Sequence, residues 1–282
     1  VFLAFDLNER ILRLLKGSGA GGTDPNWYVF LVPGFVLAAF WLFELAFLRN
    51  RPAEAGLEDL DTGDASSGDE GPATSMGLIK RILTHPVILT LALVEFCTGV
   101  LRNGVMHWFR IYAKEQLKAG TGGAAAWDFA LSNWGLLLMI AGIVGGMSAG
   151  YVSDLVFQSR RAPAAFFLYA LLTVCCGAMA FSLHNAWLLV LLVFLISVAV
   201  IGTHGLLSGT ATMDFGGRKG AATAVGVIDG FVYLGTGLQS YALGWITTRN
   251  WAWWPVFLLP FGVVGTLLLT RIWHAKPGKG GH

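Results

Sequence analysis

Four polar side chains that could bind a charged ligand lie inside one apolar stretch, residues 86–112. They are Glu95, Arg102, Asn103 and His107. A helix that crosses a bilayer needs about 20 residues, and Arg102 follows Pro86 by 16 residues and precedes Tyr112 by 10. We therefore expect its charge near the middle of a membrane. An arginine there costs about 2.5 to 3.5 kcal/mol and commonly marks an ion or substrate path.

The chemistry of Arg102 allows two interpretations. A guanidinium stays charged and offers paired donors to two oxygens, which suits a phosphate group. The alternative is a structural ion pair with Glu95, seven residues earlier on the same helix face, or with an acid from another helix. The residues alone leave both interpretations open.

The composition predicts an all-α membrane protein. The chain is 55% hydrophobic and 13% charged, with a net charge of +2 and a mean hydropathy of +0.63, whereas soluble domains are about 25% charged. Apolar runs of bilayer-spanning length predict about seven transmembrane helices. They cover residues 28–48, 86–112, 129–152, 164–183, 187–207, 221–247 and 253–273.

The segments between these spans predict the orientation. An acidic stretch rich in Gly, Ser and Asp follows the first span and is typical of a flexible linker. With alternating sides, the connectors on the side of this linker and the C-terminus hold eleven Lys and Arg residues, against seven on the opposite side. The positive-inside rule then puts the linker and the C-terminus in the cytoplasm.

Polar residues in the later spans are further candidates. Asp229, like Glu95, is either part of a pocket or gate or a structural partner for Arg102 or another polar group. His204 is expected to be a hydrogen-bonding group at a helix end rather than a proton carrier. Three cysteines inside spans are expected to be small packing residues rather than ligands or disulfides: Cys97, Cys175 and Cys176.

Small residues mark the third span as a packing helix. Gly142, Gly146 and Gly150 recur at four-residue spacing, with Gly145 and Ala149 alongside. Such a face lets a neighbouring helix approach closely.

Four motifs, in this order and spacing, resemble a known transporter family. They are Arg51-Pro-Ala-Glu-Ala-Gly56-Leu57; Leu101-Arg102-Asn103-Gly104 followed by Trp108; Gly150 and Asp154 followed by Arg160 and Arg161; and Asp214-Phe-Gly-Gly-Arg218-Lys219 leading into Asp229-Gly-Phe-Val-Tyr233. Together they resemble the organophosphate:phosphate antiporters of the major facilitator superfamily. That family includes glycerol-3-phosphate and hexose-phosphate transporters. The resemblance extends over residues 28–273.

The resemblance implies an architecture. The chain would supply helices six to twelve of a twelve-helix major facilitator fold. Residues 1–49 would hold the end of helix five, a periplasmic loop and helix six, and residues 50–85 the central cytoplasmic loop. Residues 86–274 would form the C-terminal six-helix bundle and residues 275–282 a cytoplasmic tail. The missing N-terminal half of the same carrier is then an expected partner.

The resemblance also implies roles for particular residues. Arg102 matches a phosphate-binding arginine on helix seven, whose counterpart on helix one would lie in the missing half. Tyr233 matches an aromatic side chain that lines the same cavity. His107 stands where the family's glycerol-phosphate member has a carboxylate, and Gly99 where it has an aromatic residue, so the substrate end of the pocket is expected to differ.

Together, the residues and the resemblance give a substrate-binding set and a gating motif. The substrate-binding candidates are Arg102, Tyr233, Asn103, His107, Asp229 and Glu95. The cytoplasmic gating motif consists of Gly150, Asp154, Arg160 and Arg161, with ordinary positive-inside charge as the alternative explanation of the arginines.

The resulting functional prediction is transport of an organophosphate in exchange for inorganic phosphate by alternating access, in the lipid bilayer of a bacterial inner membrane. A transporter-like sensor of hexose phosphate is the alternative. An enzyme is not expected, because no His-Glu-x-x-His, Gly-x-Ser-x-Gly or paired-Asp arrangement is placed to activate water or a nucleophile. We expect no cofactor and no metal, and there is no basic patch for nucleic acid.

Overall fold

The computed structural model describes residues 27–49, 52–58 and 75–275, together with Arg10, Ile11 and Leu14. The expected end of helix five, most of the acidic linker and the tail after Ala275 lie outside the described residues. So do the side chains of residues 213–221, which include Asp214, Arg218 and Lys219 of the last motif.

The described residues are almost entirely helical and contain no strand. In chain order the α-helices are α1 (Trp27–Phe47), α2 (Ser75–Thr84), α3 (Pro86–Met106), α4 (Trp108–Ala119), α5 (Ala124–Ser132), α6 (Trp134–Tyr151), α7 (Arg161–Ser182), α8 (Ala186–His204), α9 (Thr212–Thr247) and α10 (Trp253–Arg271). A 3₁₀ helix covers Pro52–Ala55, and π-helical turns follow α6 at Val152–Val156 and α8 at Gly205–Ala211.

The chain divides into two compact units. The first comprises residues 1–62 and 132–139, and so holds α1 and the start of α6. The side chains described in α1 are mostly apolar, with Glu44 as the charged exception, and most of them are exposed, including Phe35, Phe40 and Trp41. A helix that is apolar on nearly every face requires a lipid or protein environment around it.

The second unit comprises residues 63–131 and 140–282 and is organised around α3. Helix α3 packs against α8, α9 and α10, and α7 packs against α8 and α10. The core therefore surrounds the helix that carries Arg102. The three cysteines are buried free thiols in this unit, as expected of packing residues.

Helices α3 and α9 approach so closely because each places a glycine against the backbone of the other. A Cβ atom on Gly99 would overlap the carbonyl oxygen of Val232, and one on Gly235 would overlap that of Phe96. Close backbone approach at small residues is a common basis of helix association in membranes. These two glycines set the separation of the two helices that hold most of the candidate site.

The small-residue face of α6 differs from the expected one. Gly145 lies against the backbone of Val198 and Gly202 on α8, where a Cβ atom would overlap Val198. Gly142 makes only an ordinary van der Waals approach to Ile201, and Gly146 and Gly150 would have open space for a Cβ atom. The close approach to α8 is therefore made by Gly145, one of the small residues alongside the four-residue series, and not by Gly146 or Gly150.

Six helices are long and apolar enough to cross a membrane among the described residues: Phe30–Phe47, Pro86–Ala119, Trp134–Val156, Arg161–Ser182, Ala186–Ala211 and Trp253–Arg271. The remaining expected span, 221–247, is helical throughout as part of the 36-residue helix α9. Asp229, Thr236 and Gln239 lower the hydropathy of α9. An all-α, multi-pass membrane protein is thus confirmed.

Candidate functional site

Arg102 occupies the centre of a continuous crossing formed by α3 and α4. The span Pro86–Ala119 is 34 residues long, and Arg102 lies 16 residues after its start and 17 before its end. Pro86 begins α3, where a missing N–H costs nothing, and the ring of His85 accepts a hydrogen bond from the Ile88 N–H. The helix breaks at His107 and resumes at Trp108.

The guanidinium of Arg102 is half-buried and has no hydrogen-bond or ion-pair partner among the residues that the structure describes. The structural alternative, an ion pair with Glu95, is therefore not what the structure contains. Its charge is therefore not neutralised by a direct contact within the described part of the chain, and a charge inside a span is costly.

Glu95 is instead paired with a histidine from another helix. Its Oε2 lies 2.7 Å from Nδ1 of His204, at the end of α8. The carboxylate is completely buried, whereas the His204 side chain is 25% exposed. The other carboxylate oxygen, Oε1, has no hydrogen-bond partner within the described part of the chain. Glu95 therefore lies behind the surface that a ligand could contact.

Asp229 of α9 also has a partner. The hydroxyl of Ser208 donates a 2.6 Å hydrogen bond to its Oδ1. Ser208 belongs to the π-helical turn Gly205–Ala211, four residues after His204. The widened turn thus brings a histidine and a serine from one segment to two different acids, and single π-helical turns are frequent at functional sites.

Asn103, next to Arg102, connects α3 to α9. Its Nδ2 donates a 2.7 Å hydrogen bond to Oγ1 of Thr236, one turn beyond the Gly99–Val232 approach. The Thr236 hydroxyl lies 3.0 Å from the Val232 carbonyl, to which it donates. Because its amide is occupied here, Asn103 positions the helix that carries Arg102.

His107 and Tyr233 differ from the residues above in being exposed. His107 forms the break between α3 and α4 and is open to the surroundings of the helix bundle. The Tyr233 side chain is 75% exposed on the outer face of α9. Neither side chain is therefore enclosed by the described helices.

Two indole groups and a buried tyrosine fix the geometry around Arg102. The Trp254 indole N–H donates to the carbonyl of Gly104 at 2.7 Å, and that of Trp108 donates to Oε1 of Gln239 at 3.0 Å. The Tyr169 hydroxyl of α7 donates to the Val94 carbonyl at 3.0 Å. Helix α3 is thus hydrogen-bonded to α7, α9 and α10, which limits the positions open to its arginine.

The gating motif forms a local bridge between α6 and α7. The Arg161 guanidinium pairs with the Asp154 carboxylate and also donates to the Ser153 hydroxyl at 3.1 Å. Ser159 donates to Asp154 at 3.1 Å, and Arg160 donates from Nε to the Phe157 carbonyl at 3.2 Å. Asp154 and Arg161 are thus joined, whereas Arg160 bonds to the Phe157 carbonyl and Gly150 takes no part in the bridge.

The sequence did not reveal the partners of the candidate residues. Ser208 and Thr236 were not singled out, and the hydrogen bond expected of His204 at a helix end was not assigned to Glu95. The available signal was that buried polar groups nearly always have hydrogen-bond partners. Every acid or amide inside a span therefore calls for a polar residue in another span.

Comparison with known proteins places the chain in a family. The sequence model of the Major Facilitator Superfamily matches residues 17–240. Among curated proteins, a putative glycerol-3-phosphate transporter 1 of Arabidopsis thaliana is 25% identical over 273 residues, which is 88% of this chain and 51% of that protein. A probable hexose phosphate transport protein of Chlamydia pneumoniae is 26% identical, over 86% of this chain and 56% of its own length.

A third relative has a different described role. The membrane sensor protein UhpC of Salmonella typhimurium is 25% identical over 79% of this chain and 51% of its own length. The chain thus spans about half the length of these curated relatives. With a family match over most of its residues and an all-helical membrane architecture, the chain belongs to the Major Facilitator Superfamily.

Proposed function

We propose that this chain forms the C-terminal half of a carrier that binds an organophosphate at Arg102 and exchanges it for inorganic phosphate. The half-buried guanidinium of Arg102 carries the proposal, because it has no partner among the described residues while the nearest acid of its helix is paired with His204. Phosphate oxygens match its paired donors. The names of the relatives, glycerol-3-phosphate and hexose phosphate transport proteins, support this substrate class.

In this proposal the other wall of the site comes from an N-terminal half. The exposed face of α9 around Tyr233 would face that half across the cavity, and a second arginine there would complete the phosphate clamp. Residues 1–49 would end the N-terminal half, 50–85 would be the cytoplasmic loop, 86–274 the C-terminal bundle and 275–282 the cytoplasmic tail. Rocking of the two halves about the anion gives alternating access.

The assigned roles within the site follow from where each side chain lies. Arg102 binds the phosphate group, while His107 and Tyr233, both exposed, contact the remainder of the substrate. Asn103 holds α3 against α9. The carboxyl groups of Glu95 and Asp229 determine the electrostatic environment of Arg102. The bridge of Asp154 and Arg161 holds one conformation on the cytoplasmic side, and Arg160 supports the turn beside it through the Phe157 carbonyl.

Exchange of labelled phosphate in proteoliposomes tests the function. The 282-residue chain alone should show no exchange above empty liposomes, because half of the site is missing. Co-expression with an N-terminal half taken from a transporter relative should give exchange of phosphate for glycerol 3-phosphate or a hexose phosphate. Substantial exchange by the 282-residue chain alone would contradict the half-carrier proposal.

A membrane sensor is the second candidate, favoured by the similarity to two UhpC proteins. A sensor and a carrier share the anion site and differ in whether the bound anion crosses. Phosphate binding to the complete polypeptide without exchange in vesicles would support the sensor. Binding together with exchange would support the carrier.

A further inference from the structure

We propose that Glu95 and His204 form a proton site whose occupancy is linked to anion binding at Arg102, so that the protein takes up a proton when it binds phosphate. The linkage rests on the proposed function, whereas the proton site itself does not. It concerns a pair of residues behind the anion site, not the contacts of the anion itself.

The geometry is that of a shared proton. Oε2 of Glu95 and Nδ1 of His204 are 2.7 Å apart, so one proton between them makes a hydrogen bond in either protonation arrangement. Oε1 of the same fully buried carboxylate has no hydrogen-bond partner within the described part of the chain. An ionised oxygen without a donor is costly in such surroundings, and a second proton on the pair removes that charge.

A path for the proton is present at one side of the pair. The imidazole of His204 keeps a quarter of its side-chain surface exposed, whereas Glu95 has none. In this proposal a proton from solvent reaches the carboxylate through the imidazole. His204 is also the residue at which α8 gives way to the π-helical turn Gly205–Ala211, so its position depends on a backbone stretch with an irregular hydrogen-bond pattern.

The charges that act on Glu95 come from three helices. They are His204 of α8, Asp229 of α9 and Arg102 of α3 itself. The buried hydroxyl of Tyr169 on α7 is near but is hydrogen-bonded to Val94 and Thr98. When the Glu95–His204 pair holds one titratable proton, its net charge is zero. The opposite charges of Arg102 and Asp229 also cancel, so the four residues together are neutral.

Binding of an anion disturbs this balance. A phosphate at Arg102 adds at least one negative charge to a region with poor access to water, where charges interact strongly. One proton taken from solvent by the pair, giving an imidazolium next to a neutral carboxylic acid, offsets one of these charges. By reciprocity, lower pH must then strengthen phosphate binding, beyond the effect of the ionisation of phosphate itself.

The test uses the complete polypeptide that contains this chain, purified in lipid nanodiscs, with inorganic phosphate as the probe. Infrared spectroscopy of the carboxyl C=O band follows the pair between about pH 5 and pH 8, the range in which histidine titrates. Calorimetric phosphate titrations in two buffers of different ionisation enthalpy give the number of protons bound per phosphate. The variants are Glu95→Gln and His204→Gln, with Asp128→Asn, an exposed acid on α5, as the matched control.

In the unaltered protein and in Asp128→Asn, we expect a carboxyl band that titrates, and a net uptake approaching about one proton per phosphate. Glu95→Gln should remove the band, and both pair variants should take up about one proton fewer per phosphate than the unaltered protein. The ionisation of phosphate is common to all variants and cancels in the comparison. Circular dichroism and detergent melting establish that each variant is folded.

Three results would overturn the proposal. The first is a Glu95 carboxyl signal that does not change over the pH range. The second is phosphate binding without proton uptake in the unaltered protein, and the third is a proton uptake in folded Glu95→Gln equal to that of the unaltered protein. A pair that titrates in a protein that binds no phosphate would instead overturn the proposed function and the linkage, and leave the proton site standing.

Discussion

The side-chain amide of Asn103 lies 2.7 Å from the hydroxyl of Thr236, which joins the helix of Arg102 to α9 across 133 residues of sequence. The bond lies one turn from the point where Gly99 meets the backbone of Val232. Packing and hydrogen bonding thus act at the same crossing. Arg102, adjacent to Asn103, is held at the height of this crossing.

The Asn103–Thr236 bond should make a measurable but modest contribution to stability. Hydrogen bonds between membrane helices contribute about 0.6 kcal/mol on average, with a maximum of about 1.7 kcal/mol. We expect Asn103→Ala and Thr236→Val each to lower the free energy of unfolding by an amount in this range. A double-mutant cycle measured by unfolding in mixed detergent isolates the bond, and a coupling energy of zero would show that the two groups do not interact.

Gly99→Ala should be strongly destabilising. Its new methyl group would overlap the Val232 carbonyl, which belongs to rigid helix backbone, so α3 and α9 must separate. Overpacking of this kind costs about 1 to 3 kcal/mol. The matched control is Gly237→Ala on α9, where nothing lies within 4 Å and the intrinsic preference of helices favours alanine. Equal stability of the two variants would argue against the close crossing.

Arg102→Lys distinguishes an anion clamp from a simple positive charge. Lysine keeps the charge but loses the planar, paired donors. Loss of one charge-assisted hydrogen bond, about 1.5 to 3 kcal/mol, should weaken phosphate binding to the complete polypeptide roughly ten- to a hundredfold. Arg102→Ala should weaken it further.

The control for this experiment is Arg249→Lys, since Arg249 lies over the ring of Trp245 outside the site. Its phosphate affinity should equal that of the unaltered protein. Near-normal affinity of folded Arg102→Lys and Arg102→Ala would remove Arg102 from the binding site.

Asp154→Asn should alter transport more than stability. The ion pair of Asp154 with Arg161 is partly solvent-exposed, and such pairs contribute at most about 1 kcal/mol. If the bridge holds one access state, its loss should change the rate of phosphate exchange several-fold without changing phosphate affinity. Ser159→Ala, which removes only the neutral donor to Asp154, should have a smaller effect. A normal exchange rate in Asp154→Asn would leave the bridge with no role in gating.

The orientation of the helices can be tested with single cysteines. We expect a cysteine at Ser67, in the linker, to react with a membrane-impermeant reagent only from the cytoplasmic side, and one at Thr121 only from the opposite side. Background should be low because the three natural thiols are buried. Labelling of both positions from outside intact cells would contradict the orientation.

The sequence by itself determined the membrane class, the approximate spans and the central position of Arg102. Hydropathy and length are properties of each segment alone, and a bilayer imposes them on every crossing helix. The order of the motifs likewise indicated the family, because each motif is a short stretch of sequence. Arg102 and Asn103 are adjacent, and Asp154 and Arg161 lie close together along the chain. The Asp154–Arg161 bridge formed as a contact between helix ends only seven residues apart.

Only the tertiary structure decided how the polar residues pair. Glu95 had a candidate partner, Arg102, on its own helix, but its carboxylate meets His204, 109 residues later. Arg102 has no direct partner among the residues that the structure describes. The physical reason is that a buried polar group bonds to whichever donor the packed helices bring to it, and helix rotation and separation are set by contacts between distant segments. Likewise, α8 packs against Gly145 rather than against the evenly spaced Gly146 and Gly150. The position of the neighbouring helix determines which face of α6 it contacts.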